Sequence, residues 1–155
     1  MSKKLLVIIG SGGFGHKIPF LYGTLGTAEG LLIYLGLILF VNPAQIDLWV
    51  YGLIVFFTLL SLLLGGEFER YFYTKDPHPF VLDEVAGFLC AVIFLTPKPF
   101  YIIMAFVLFR IFDIWKPFPI RKLQDLPAGV GIVTDDLLAG LYANICCQII
   151  IKYFI

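Results

Sequence analysis

With 155 residues, 60% of them hydrophobic and only 14% charged, the chain carries too little charge to coat a soluble globule, in which roughly 25% of residues are charged. Its 11 basic and 11 acidic side chains cancel, so nothing points to nucleic acid, and none is expected as a partner. The length, with no Ser-rich, Pro-rich or charge-run linker, predicts a single membrane domain over residues 1–155.

At the N-terminus, Lys3 and Lys4 precede an apolar stretch too short for a signal peptide, and Gly10 to Gly15 offers no small-x-small cleavage site. Residues 5–9 read as strand-like, and Gly10, Gly12 and Gly15 behind them satisfy G-x-G-x-x-G. A dinucleotide site would need a helix starting inside that motif and a βαβ unit around it. Here His16-Lys17-Ile18-Pro19 follows, then a long apolar run. Residues 1–23 are therefore expected to be a cytoplasmic Gly-rich segment, with Gly23, Thr24 and Thr27 close to a lipid headgroup.

Crossing the bilayer hydrocarbon takes about 20 mostly apolar residues as helix, with about 17 as the lower limit. Residues 24–41 and, after Asn42-Pro43, residues 47–64 read as spans. The third segment, 81–95, is short and carries Asp83 and Glu84 in its first turns; Pro97-Lys98-Pro99 then separates it from 100–115, so the two predict a hairpin. Pro117 and Pro119 end the fourth segment, since Pro and the residue before it resist helical continuation. A fifth runs over 132–151, with Asp135 and Asp136 near its start. The expected fold is all-α, an integral membrane helical bundle with four or five spanning helices. Trp49 and Trp115 suit interfacial anchors. Cys90, Cys146 and Cys147 lack Cys-x-x-Cys spacing and read as small buried apolar residues.

Short cytoplasmic loops are enriched in Lys and Arg. With five spans, Lys3, Lys4, Lys17, Arg70, Lys75, Lys116, Arg121 and Lys122 share one side, against Lys98 and Lys152 on the other. The N-terminus is then cytoplasmic, and Asp83, Glu84, Arg110, Asp113, Asp135 and Asp136 gather at cytoplasmic helix ends.

Ionisable residues inside apolar spans are costly and tend to face a bundle interior or a wet cavity. Five carboxylates crowded together, Asp83, Glu84, Asp113, Asp135 and Asp136, would repel one another unless a cation or basic side chains neutralised them. Oxygen ligands without a His or Cys cluster favour magnesium (Mg2+), which keeps much of its shell for water and phosphate oxygens. His16 and His78, the only histidines, have no partner at metal-ligand spacing and read as loop residues. Arg110, Asp113 and Lys116 recur every three residues on one helical face and could clamp phosphate around a metal ligand. Carboxylates, a divalent ion and Arg or Lys suit phosphoryl transfer. A substrate arriving from the bilayer would be a phospholipid.

Three ordered motifs carry a resemblance: Lys75-Asp76-Pro77 followed by Val81-Leu82-Asp83-Glu84-Val85-Ala86-Gly87, FRIFDIWKPFPIR from Phe109 to Arg121, and GVGIVTDDLLAG from Gly129 to Gly140. In these the chain resembles the phosphatidylglycerophosphatase A family, over most of its length from about Gly13 onward. Where that family usually reads Pro-Gly-Thr, this chain has Tyr22-Gly23-Thr24. The resemblance implies a magnesium-dependent hydrolase of the bacterial inner membrane. It would convert phosphatidylglycerophosphate to phosphatidylglycerol and phosphate, with its active site on the cytoplasmic side. On this reading Asp83, Asp113 and Asp136 are catalytic. Asp83, Glu84, Asp113, Asp135 and Asp136 are the candidate metal ligands, and Arg110, Lys116 and Arg121 hold the substrate phosphate. Whether water or an Asp attacks phosphorus first is open at this level.

Two alternatives remain, a second enzyme and a protein of another class. A CDP-alcohol-type phosphatidyltransferase also places acidic motifs at membrane helix ends, but its D-G-x-x-A-R run is absent. A small transporter or assembly subunit would place charge near mid-span, whereas these acids cluster towards one face.

Overall fold

The computed structural model of the chain describes residues 3–13, 22–74, 77, 79–127 and 129–155. His16, Lys17, Lys75, Asp76 and His78, which the sequence places in loops on the basic side, lie outside the described residues. Every regular element among the described residues is helical, as expected of an all-α chain. In order they are α1 (Lys3–Gly10), α2 (Tyr22–Phe40), a 3-10 turn at Pro43–Gln45, α3 (Ile46–Phe72), α4 (Leu82–Val92), α5 (Pro99–Trp115), α6 (Ile120–Leu123) and α7 (Val130–Phe154).

Among the described residues, three helices are long and apolar enough to cross a membrane, where four or five spans were expected: Tyr22–Phe40, the run Pro43–Phe72 that contains α3, and Val130–Phe154. At a rise of about 1.5 Å per residue α2 and α7 span roughly 29 and 38 Å, against a hydrocarbon core of roughly 30 Å. The outward faces of α2, α3 and α7 carry large apolar side chains, among them Leu32, Leu39, Leu63 and Ile149, the surface that suits contact with lipid rather than water. The two hairpin segments are shorter. Lys98-Pro99 starts α5, where a proline at the first position loses no hydrogen bond. This helix has 17 residues, at the lower limit for a span.

The expected third span is an 11-residue helix, α4, with nine of those residues buried. It measures only about 17 Å and forms the axis of the bundle, packed against α7, α3, α2 and α5. Phe88, Leu89, Phe109, Val50, Tyr34 and Ala143 form the core around it. Helix α7 approaches closely because Gly87 faces it: a Cβ there would sit 2.7 Å from the Phe109 ring and 2.8 Å from the Asp136 carbonyl oxygen. Far from residue 87, α4 stops because its last carbonyls find another donor. Asn144 Nδ2 of α7 donates to the carbonyls of Ala91 (3.0 Å) and Ile93 (2.7 Å), groups that a helix end otherwise leaves unsatisfied. The N–H of Phe94 donates to Asp47 Oδ1 at the start of α3 (3.1 Å). The α4–α5 turn therefore lies at the same end of the bundle as the α2–α3 connection.

Residues 5–9, strand-like in sequence, belong to helix α1. Leu6 and Val7 insert beside Phe68, Phe80 and Ile132 in a second apolar cluster, and the Gly10 carbonyl accepts from the N–H of Val81 (2.9 Å). This contact joins the N-terminal helix to the start of α4, where the acidic residues begin.

Candidate active site

Asp83 and Glu84 occupy the first turn of α4, where the positive end of the helix dipole favours carboxylates. Asp135 and Asp136 lie in the second turn of α7, about 8 Å inside that helix. Both are buried, at 1% and 4% exposure, and Asp83 is at 3%, so these are interior carboxylates rather than solvated helix-end residues. Helix α5 arrives from the other side with Arg110 and Asp113 in its last two turns and ends at Lys116, whose left-handed backbone (φ 45°) turns the chain away.

Packing brings the five predicted acids together in two tiers. In the inner tier, one carboxylate oxygen from each of Asp83, Glu84 and Asp136 lies within 4.8 Å of the others. In the outer tier each acid has a base beside it. Arg110 Nη1 is 2.5 Å from Asp113 Oδ2, and Lys116 Nζ is 2.5 Å from Asp135 Oδ2. The tiers touch, because the Asp113 carboxyl is within hydrogen-bonding reach of Asp136, and the backbone N–H of Asp136 donates to Asp135 Oδ1 (3.0 Å).

Five carboxylates against Arg110 and Lys116 leave an excess of three negative charges if all ionise. Carboxylates this close repel strongly in a buried setting. The inner three could hold a metal ion, and their donor set is oxygen only, with no His or Cys in the group, which suits a hard cation.

Helix α2 supplies residues that charge alone does not reveal. Thr27 Oγ1 donates to the Gly23 carbonyl (2.7 Å) and accepts from Arg110 Nη1 (3.5 Å). A Cβ on Gly23 would lie 2.8 Å from both Arg110 terminal nitrogens and 3.0 Å from Glu84 Oε1, so the bare glycine lets guanidinium and carboxylate converge. Gly23 and Thr27 thus lie beside Arg110, whereas Thr24 is exposed. Arg121, predicted beside the phosphate, stands apart. It is exposed on α6 and lines a surface cavity of about 640 Å³ together with Trp115, Lys116, Phe118, Lys122 and Asp125. Lys116 lies between the two regions.

A helical bundle with apolar outer faces, and with an all-oxygen acidic centre flanked by Arg and Lys at one end, is compatible with a membrane protein and with a centre that could hold a metal ion. Residues 7–151 match the sequence model of the family described as Phosphatidylglycerophosphatase A. The chain belongs to the phosphatidylglycerophosphatase A family and is a phosphatase of phospholipid metabolism. It is 35% identical over 147 residues to "Phosphatidylglycerophosphatase A" of Haemophilus influenzae, covering 90% of this chain and 83% of that protein. To the protein of the same name in Escherichia coli it is 30% identical over 133 residues, covering 83% and 74%. A third relative, from Bacteroides thetaiotaomicron, is named "Putative phosphatidylinositol-3-phosphatase"; it is 36% identical over 145 residues, covering 91% of this chain and 90% of that protein. No solved structure gives a significant match.

Proposed function

We propose that this chain hydrolyses the terminal phosphate monoester of phosphatidylglycerophosphate, with magnesium, at the cytoplasmic face of a bacterial inner membrane. The observation that carries this reading is the convergence of Asp83, Glu84 and Asp136 within 4.8 Å of one another, at the end of the bundle where Arg110 and Lys116 sit. Two relatives named for that activity support the substrate.

In the overall reaction an oxygen of water forms the new bond to phosphorus, the bond from phosphorus to the glycerol oxygen breaks, and the leaving oxygen takes a proton. Asp83, Glu84 and Asp136 would hold the divalent ion, with Asp113 and Asp135 as adjoining candidates, and that ion would neutralise charge building on the phosphoryl oxygens. Arg110 holds a non-bridging oxygen through its guanidinium, steadied by Asp113 and Thr27. Asp136 or Asp83 accepts the proton of the attacking water. Lys116 fixes Asp135 and, with Arg121 further out, attracts the anionic headgroup along the surface cavity they share. Direct attack by water and attack by an aspartate differ in whether a phosphoenzyme can be trapped.

For topology, α2, α3 and α7 cross the membrane, and the α4–α5 hairpin leaves from and returns to the active-site side. That hairpin gives the same chain-end placement whether or not it traverses fully, with the N-terminus cytoplasmic and the C-terminus outside. A second substrate reading, a phosphoinositide monophosphate, is favoured by the name of the Bacteroides relative. Phosphate release by purified protein from phosphatidylglycerophosphate, phosphatidylinositol 3-phosphate and phosphatidic acid, compared by kcat/KM, decides between them. Preference for the first is the expected result, and a clear preference for the inositol lipid would replace it.

A further inference from the structure

We propose that the outer face of α5 holds an acyl chain of the substrate lipid, so that the headgroup enters the site sideways from the leaflet, past Arg110 and Gly23. This rests on the lipid-phosphatase reading above and adds to it a binding surface and a route.

A groove of about 440 Å³ runs along α5, lined by Phe106, Val107, Arg110, Ile111, Ile114 and Trp115. Its volume falls within the range of roughly 300–1,000 Å³ usual for ligand sites. Five of the six lining residues are apolar, and the sixth is the arginine of the active site. Long basic side chains can cover apolar surface with their methylenes while the charged head reaches elsewhere. Arg110 does this: its stem forms part of the groove, and its guanidinium turns inward to Asp113 (2.5 Å) and Thr27 (3.5 Å). A phosphate monoester bound to that guanidinium would satisfy its charge, and the attached lipid would continue directly onto apolar surface.

The orientation of the groove agrees with this occupant. The groove extends about 14 Å from Trp115 to Phe106, with Arg110 midway along it. Trp115 marks the end next to Lys116, Phe106 the end towards the middle of α5, and the Arg110 head leaves the groove between them for the acidic cluster. Gly23, whose missing Cβ leaves room for the guanidinium, lets Arg110 reach inward from the groove. A cavity of similar size, about 460 Å³, is lined by Phe94, Thr96, Gln148, Ile149 and Lys152. It sits at the far end of α7 from Asp135 and Asp136, and provides an internal comparison.

The test uses the purified full chain in phosphatidylcholine vesicles, kept from turnover by chelator, with phosphatidic acid that carries a photoactivatable diazirine midway along one acyl chain. Crosslinks should concentrate on residues 106–114, and unlabelled phosphatidic acid should compete them away while additional phosphatidylcholine does not. Equal labelling of 106–114 and 145–149, indifferent to competitor, would overturn the proposal. Val107→Trp fills the groove at an exposed position. It should lower kcat/KM for a dioleoyl substrate about tenfold, by displacing chain contacts, and lower that for the dihexanoyl analogue, whose shorter chains make fewer of those contacts, by a smaller factor. Equal loss on both substrates, or no loss on either, would also overturn it. Absence of phosphate release from every lipid phosphate would count against the phosphatase reading, whereas the crosslink pattern decides the groove independently.

Discussion

Lys116 at the end of α5 and Asp135 inside α7 form an ion pair of 2.5 Å in which the aspartate is almost wholly buried. The other oxygen of Asp135 accepts the backbone N–H of Asp136, so a lysine from one helix helps set the position of an inner-tier carboxylate on another. Removing one partner of a buried pair costs about 3–5 kcal/mol, because the remaining charge has nothing to compensate it. Lys116→Met should therefore lower stability by about 3 kcal/mol, and Lys116→Met with Asp135→Asn should recover most of that loss without recovering activity. Thermal unfolding of the detergent-solubilised variants, with phosphate release on the same samples, measures both; additive destabilisation would mean that the pair does not couple.

Asp136→Asn keeps the side-chain size and removes its charge. As a member of the inner tier within reach of Asp83, Glu84 and Asp113, Asp136 should contribute an electrostatic effect on the order of 100-fold or more in turnover. The variant should fold and insert normally. Near-normal phosphate release at limiting magnesium would leave Asp136 outside the chemistry.

Gly23→Ala adds one methyl at the point where Arg110 and Glu84 meet. Displacing the guanidinium by about 1 Å should reduce kcat/KM on the order of 10- to 100-fold, with little change in melting temperature, since Gly23 lies in the first turn of α2. Kinetics and unfolding on the same preparation separate the two effects. An unaltered kcat/KM would show that Arg110 does not need this approach.

Asn144→Leu, by contrast, should act on folding alone. It strips the donor from the carbonyls of Ala91 and Ile93 in a buried setting, at about 1–3 kcal/mol for each group left without a partner. Lower stability with unchanged turnover per folded molecule is the expected outcome, read from denaturation and from activity normalised to folded protein.

The acids were legible in the sequence because charge is so scarce there that each buried carboxylate stands out, and all five converge in the fold. Helices α2, α3 and α7 were legible from long apolar runs. So were both ends of α5, marked by Lys98-Pro99 and by Lys116-Pro117. The length of α4 was not, since it is set by Asn144, about fifty positions along the chain, through hydrogen bonds that leave no local pattern. Nor was α1: five consecutive apolar residues suit either a strand or a helix, and packing of Leu6 and Val7 against Phe68 is a tertiary effect. Arg121 reads as a phosphate ligand from its motif alone, but the turn after α5 carries it onto an exposed helix.

The most direct measurement of the central claim is the rate of phosphate release from phosphatidylglycerophosphate by purified protein stripped of metal with chelator, then titrated with magnesium. If Asp83, Glu84 and Asp136 hold a divalent ion that the reaction needs, the stripped protein is inactive and magnesium restores the full rate, while Asp83→Asn requires far more magnesium or never recovers. Full activity in excess chelator would contradict the account.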